Sequence, residues 1–151
     1  MSSLRLPADY ESARRIGPWL RERLNALGAT DLYSAGELEL AIHEVAINIV
    51  DHAFGGEAPD QQYIVALTPG VDNGELHAQL QDAGAPFDAA PAPDLDHPQI
   101  GGYGLFLAEQ LTTSMSYERV DALNVWTLTF AASTEANTAQ TPNPPKQETR
   151  S

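Results

Sequence analysis

The sequence predicts an α+β domain, a two-layer α/β sandwich with its helices on one face of a mixed, mainly antiparallel sheet. Three observations point there. Two segments early in the chain repeat apolar residues at helical spacing. Two strand-like runs separated by Pro-Gly and Asn-Gly follow them. A long stretch rich in Pro, Gly, Ala and Asp then leads to a short helix and two more strands. Strands and helices grouped in this way build packed layers, not alternating βα units.

Leu4-Arg5-Leu6 reads as a short strand ending at Pro7. Asp9 precedes a helical pattern of Ile16, Leu20, Leu24 and Leu27, with Gly28 as its stop. Ser34, with Glu37 three residues on, has capping-box spacing and starts a second helix. That helix runs through Leu38, Ile42, Val45 and Ile49 to about Phe54, where Gly55-Gly56 end it. Strands are expected over residues 63–67 and 75–81 as a hairpin. A short helix over residues 103–111 and strands near 115–117 and 124–130 complete the fold. Residues 1–131 are expected to form the domain. Residues 132–151 contain no Leu, Ile, Val or aromatic side chain and are expected to be a disordered tail.

The 151 residues suffice for one core. With no cysteine, disulfides and thiolate metal sites are excluded. No secretory signal is legible at the N-terminus, and no run approaches the roughly 18 apolar residues of a membrane span. The chain therefore reads as cytoplasmic, with no membrane partner. A net charge of -13 argues against nucleic acid as a partner, because phosphate contacts need clustered cations. Between Arg23 and Arg119 there is not one Lys or Arg. An anion bound there must be met by backbone amides, a helix end or a metal.

Three segments could do chemistry. In the second helix, Glu44, Asn48 and either Asp51 or His52 fall on one stripe of an otherwise apolar element. Such groups suit Mg²⁺ held beside phosphates, although the stripe also suits the solvated side of an amphipathic helix. A zinc-protease reading fails, since Ile47 stands where a second His would be needed after His43-Glu44. His43 is read as structural. The second segment is Asp82-Ala83-Gly84-Ala85-Pro86-Phe87-Asp88, a carboxylate and glycine at the end of a strand. It could receive an adenine amino group, or be an ordinary Asp-Gly turn. The third is Gly101-Gly102-Tyr103-Gly104-Leu105, where a long loop enters a helix and free amides could meet a phosphate chain.

In their order and spacing these three boxes resemble the GHKL ATPases, the superfamily of gyrase, the MutL repair protein, sensor histidine kinases and anti-sigma-factor serine/threonine kinases. The likeness is greatest to the last group, and it covers the chain from about Leu4 to Phe130. It implies the Bergerat ATP-binding fold and ATP with Mg²⁺ as cofactors. Asn48 would hold the metal, and Glu44 would be the general base for a partner's Ser or Thr hydroxyl. Asp82 would read adenine beside Gly84. Gly101, Gly102 and Gly104, followed by Leu105, would pack on the phosphates under a lid over residues 88–100. Asp51 and His52 would lie near the nucleotide. The resemblance also implies a serine/threonine kinase of a partner-switching system. Its substrate would be a small antagonist protein, and its output a sigma factor or another regulator. Relatives pair as homodimers through the first strand and helix, for which Leu4, Leu6, Ile16, Trp19 and Leu20 are candidates, although most of these also suit a core. Two departures stand out: Pro86 replaces a second glycine, and the lid lacks any Lys or Arg. The alternative is a non-catalytic module that binds ATP or a partner and regulates by sequestration.

Overall fold

A computed structural model describes residues 2–70, 74–87 and 102–132. Five strands form one sheet in the order β1-β2-β3-β5-β4. They are β1 (Ser2–Ala8), β2 (Ala58–Pro69), β3 (Glu75–Asp82), β4 (Ser114–Val120) and β5 (Leu123–Ala131). Every pairing is antiparallel, so the mainly antiparallel expectation holds without a parallel pair among the described strands. Three helices complete the fold: α1 (Ile16–Ala26), α2 (Ala35–Asn48) and α3 (Gly102–Gln110).

β1 is longer than the three residues its pattern suggests, and it includes Pro7. An edge strand tolerates proline, because one side of it donates to no neighbour. The pairing with β2 shifts at Pro7 and Ala8, where the chain leaves the sheet. The Asp9 carboxylate then accepts from the Ser12 amide at 2.7 Å. That contact opens a 3-10 turn, Ser12–Arg15, ahead of α1. Ile16, Leu20 and Leu24 point inward as their spacing requires, but Leu27 caps the helix and is 46% exposed.

α2 begins as its cap foretells: the Ser34 hydroxyl accepts from the Glu37 amide at 3.3 Å. It does not run regularly to Phe54. Residues Ile49–Ala53 wind as a π-helix, with the Phe54 amide reaching back five residues to the Ile49 carbonyl. Gly55 and Gly56, at φ 73° and 124°, then end the helix. β4 and β5 turn through Asp121-Ala122, with Asp121 at φ 57°, a conformation that Asp accepts more readily than most residues.

The core lies between helices and sheet. Leu20, Leu24, Ile42 and Val45 meet Val65, Leu80, Trp126 and Leu128 within one cluster. Fully burying a side chain of this kind contributes about 1.5–3 kcal/mol. Leu6, Ile16 and Leu20 are 0% exposed and belong to that core, while Leu4 and Trp19 pack against it partly buried. Of the residues considered for a dimer surface, only the last two keep a free edge. Among the described residues no helix is long and apolar enough to cross a membrane.

The register places inward residues in rungs. One reads Leu4, Val65, Leu80, Trp126 and Tyr117. The next reads Leu6, Tyr63, Asp82, Asn124 and Arg119, so the apolar face becomes polar at one end of the sheet. Ala132, assigned to the tail, is buried, and its amide donates to the Gly74 carbonyl. The rest of the expected tail lies outside the described residues. Ser34→Ala is expected to cost about 1 kcal/mol through loss of the cap. In a thermal melt this should lower Tm by about 3 °C.

Candidate functional site

The polar rung, the C-terminal half of α2 and the start of α3 converge on one site. Asn48, 2% exposed, closes α2 among apolar neighbours. Asp82, 3% exposed, ends β3, and Asn124, 2% exposed, faces it from β5. They are the buried polar residues of the described chain.

One oxygen of Asp82 is fully engaged. Its Oδ1 accepts from the Gly84 amide and from Asn124 Nδ2, both at 2.8 Å. Its Oδ2 is buried with no partner among the described residues, and the same is true of Asn48 Oδ1. The Tyr63 hydroxyl, on the same rung, is the third such atom. Leaving a buried polar atom bare costs about 1–3 kcal/mol. Burial, the largest influence, raises the Asp82 pKa above the usual carboxylate range, against the lowering pull of Asn124, the Gly84 amide and Arg119.

Gly84 is required by close approach. A Cβ there would lie 2.6 Å from the Ala53 carbonyl oxygen, at the end of the π-helix. The Ala85 amide donates to that same carbonyl at 2.8 Å. The irregular end of α2 and the Asp82 loop are thereby joined backbone to backbone. At Gly104 a Cβ would overlap the Glu44 carboxylate, so any larger residue would displace the end of that side chain. Glu44, half-buried, therefore rests against the first turn of α3, which Gly102 opens. Leu105 packs partly buried on the core. Gly101 and the expected lid over residues 88–100 lie outside the described residues.

Asp51 and His52, expected near the nucleotide, both fall within the π turn. Asp51 accepts from the Tyr10 hydroxyl, and Tyr10's own amide donates to Glu57 at 3.0 Å. His52 is exposed, its ring edge-on to Phe87 at 6.3 Å. Phe87 leads a cluster with Trp126 at 5.0 Å and Tyr117 at 5.5 Å.

Sequence reasoning missed Asn124, Tyr117 and Arg119. A signal for Asn124 was present, since it begins the alternation Asn124, Trp126, Leu128, Phe130, an amide on an otherwise apolar face. Arg119, the first cation after Arg23, donates to the Gly84 carbonyl at 2.9 Å and to Asn124 Oδ1 at 3.0 Å. A cleft of about 560 Å³ between Tyr33, Glu37, Leu111 and Phe130 carries none of these residues. It lies at the other end of α2 from Asn48.

This arrangement can accept hydrogen bonds or a hard cation at two buried oxygens, and can hold a carboxylate beside a glycine-opened helix. Among the described residues no group of three or more His, Asp or Glu converges on a metal. A cation at Asn48 would therefore need ligands from elsewhere, as Mg²⁺ does when it travels with phosphates.

Three helices on an antiparallel sheet, with these boxes around its polar rung, define an ATPase-type α+β domain. The model of the histidine kinase-like ATPase domain matches residues 6–130, and the chain belongs to that family. It is 33% identical over 105 residues to the serine/threonine-protein kinase BtrW of Bordetella bronchiseptica, covering 66% of this chain and 72% of that one. A crystal structure of the RsbU and RsbW domains of a Mycobacterium tuberculosis protein superposes with a TM-score of 0.60 at 22% identity, covering 87% of this chain. The chain spans 33% of that longer protein, and the likeness speaks for the fold.

Asp82→Asn tests the cost of the buried charge. A raised folded-state pKa means that the fold penalises the ionised form, fully so above that pKa. The penalty shrinks as pH falls through it towards the unfolded value. Asp82→Asn should therefore melt no lower than the wild type at pH 7, and its advantage should diminish as the pH is lowered towards 4. A variant that melts lower at pH 7 by several degrees would contradict this.

Proposed function

We propose that this domain binds Mg·ATP and transfers the γ-phosphoryl group to a Ser or Thr hydroxyl of a small antagonist protein. By this switch it would control a sigma factor or another output regulator. The observation that carries the reading is the pair of buried oxygens without a partner among the described residues, Asn48 Oδ1 and Asp82 Oδ2. They stand at the two positions where a nucleotide-bound metal and an adenine amino group would supply the missing partners. The similarity to a protein named as a serine/threonine kinase supports the choice of acceptor.

Asp82 Oδ2 accepts from the adenine amino group, and Gly84 lets the base approach the backbone. Asn48 Oδ1 is a hard oxygen ligand, and Mg²⁺ bound there neutralises phosphate charge. Gly102 and Gly104, with Leu105, would let the start of α3 approach the phosphates, where helix N-terminal amides suit negative charge, and Gly101 is proposed to join them. Glu44 orients the attacking hydroxyl and takes its proton as the new P–O bond forms and the bond to ADP breaks. Asp51, fixed by Tyr10, and His52 line the approach from the π-helix. With Arg119 engaged at the Asp82 loop, phosphate charge falls to the metal, the amides and a partner's residue.

Calorimetric titration with ATP tests the site. Binding should be micromolar and Mg²⁺-dependent, and Asn48→Ala should weaken it at least about tenfold, in line with loss of one contact to a charged group. Glu44→Gln separates catalysis from sequestration. It should bind Mg·ATP within about threefold of wild type, yet lose about 10²–10⁴ in turnover, the usual contribution of a positioned base. Full turnover in Glu44→Gln would remove the base assignment. No ATP binding in the wild type would remove the enzyme reading.

A further inference from the structure

The site contains a second device whose role the three boxes do not explain. Asn124 has every hydrogen-bonding position of its amide filled. Nδ2 donates to Asp82 Oδ1 and to the Ala85 carbonyl, both at 2.8 Å. Oδ1 accepts from the Tyr117 hydroxyl and from Arg119 Nη1. Two donors on one side and two acceptors on the other fix which way the amide faces. A flipped amide would set its oxygen against Asp82 and its NH₂ against Tyr117 and Arg119. The loop is tied to the same hairpin twice more. The Phe87 amide donates to the Tyr117 hydroxyl at 2.9 Å, and Arg119 donates to the Gly84 carbonyl.

We infer that Asn124, oriented by Tyr117 and Arg119 of the β4–β5 hairpin, is the positioning residue that sets base selectivity, by clamping one oxygen of Asp82 and presenting the other. This rests on the reading of Asp82 as the adenine contact. A carboxylate held at Oδ1 by two donors cannot rotate. It offers the base a single acceptor in a single direction. An amino group at purine position 6 completes it, whereas a carbonyl there brings acceptor against acceptor. Without the Asn124 donor Oδ1 keeps only the Gly84 amide, the carboxylate is less firmly oriented, and the rejection of the carbonyl weakens.

The probes are ADP and IDP, which share a purine, ribose and diphosphate and differ in the amino group or carbonyl at position 6. Kd values for both are measured with Mg²⁺ by calorimetry on the full chain. The wild type should prefer ADP by about 10- to 100-fold, the worth of one hydrogen bond to a charged group. Asn124→Leu should reduce that ratio at least about tenfold, and Tyr117→Phe, a milder change on an edge strand, about threefold because Arg119 still holds the amide. A merely structural role would weaken both ligands together and leave the ratio intact. If the wild type prefers ADP and both variants keep that preference, the inference fails while the nucleotide reading stands. If the wild type binds both alike, the inference fails together with the adenine contact of Asp82, and if it binds neither, the nucleotide reading fails as well.

Discussion

A carboxylate 3% exposed inside an apolar sandwich is tolerated only where its charge is met by donors. Among the described residues Asp82 meets this condition on one oxygen alone, and much of the molecule is arranged around that half-satisfied group. The sheet register brings Asn124 beside it, the last β-hairpin orients Asn124, and the glycine two residues on folds an amide back onto the same oxygen. The loop that follows is seated on the end of α2, whose π turn sets the Ala53 carbonyl where the Ala85 amide can use it. The bare oxygen is thus left by a structure that had donors close at hand. Such an incomplete arrangement is what a ligand site requires, because the partner arrives from outside.

The same logic extends along α2. Asn48 ends the regular helix with an amide oxygen unpartnered among the described residues, one turn from Glu44, which rests on the glycine-opened start of α3. In a chain of net charge -13, the described part of this site offers one nearby guanidinium, and Arg119 spends it on the Gly84 carbonyl and Asn124. Positive charge for an anion must then come with the ligand or with a partner. An acidic domain that depends on an accompanying metal can bind a nucleotide without forming a general phosphate-binding surface.

Much of this was legible in the sequence, for identifiable reasons. Ser34 with Glu37 fixed the start of α2 because a cap is a local interaction, and the β2–β3 hairpin was readable from its turn residues. Glu44, Asn48, Asp82, Gly84 and Gly104 could be singled out because polar or flexible residues interrupt apolar patterns there. What escaped detection depends on contacts distant in sequence. The π winding of Ile49–Ala53, whose last carbonyl receives the Ala85 amide from a loop some thirty residues later, has no signature in helical spacing. Leu27 fitted the helical period but fell beyond the last turn. Asn124 and Arg119 have meaning only through a register that pairs them with each other and with Asp82.

The central claim is that one nucleotide completes both bare oxygens. It is tested most directly by a crystal structure of the chain with Mg²⁺ and a non-hydrolysable ATP analogue. The account predicts the base amino group within hydrogen-bond distance of Asp82 Oδ2, with Asn124 still on Oδ1 and the metal ligated by Asn48 Oδ1. A nucleotide bound elsewhere, or bound with either oxygen still unpartnered, would contradict it.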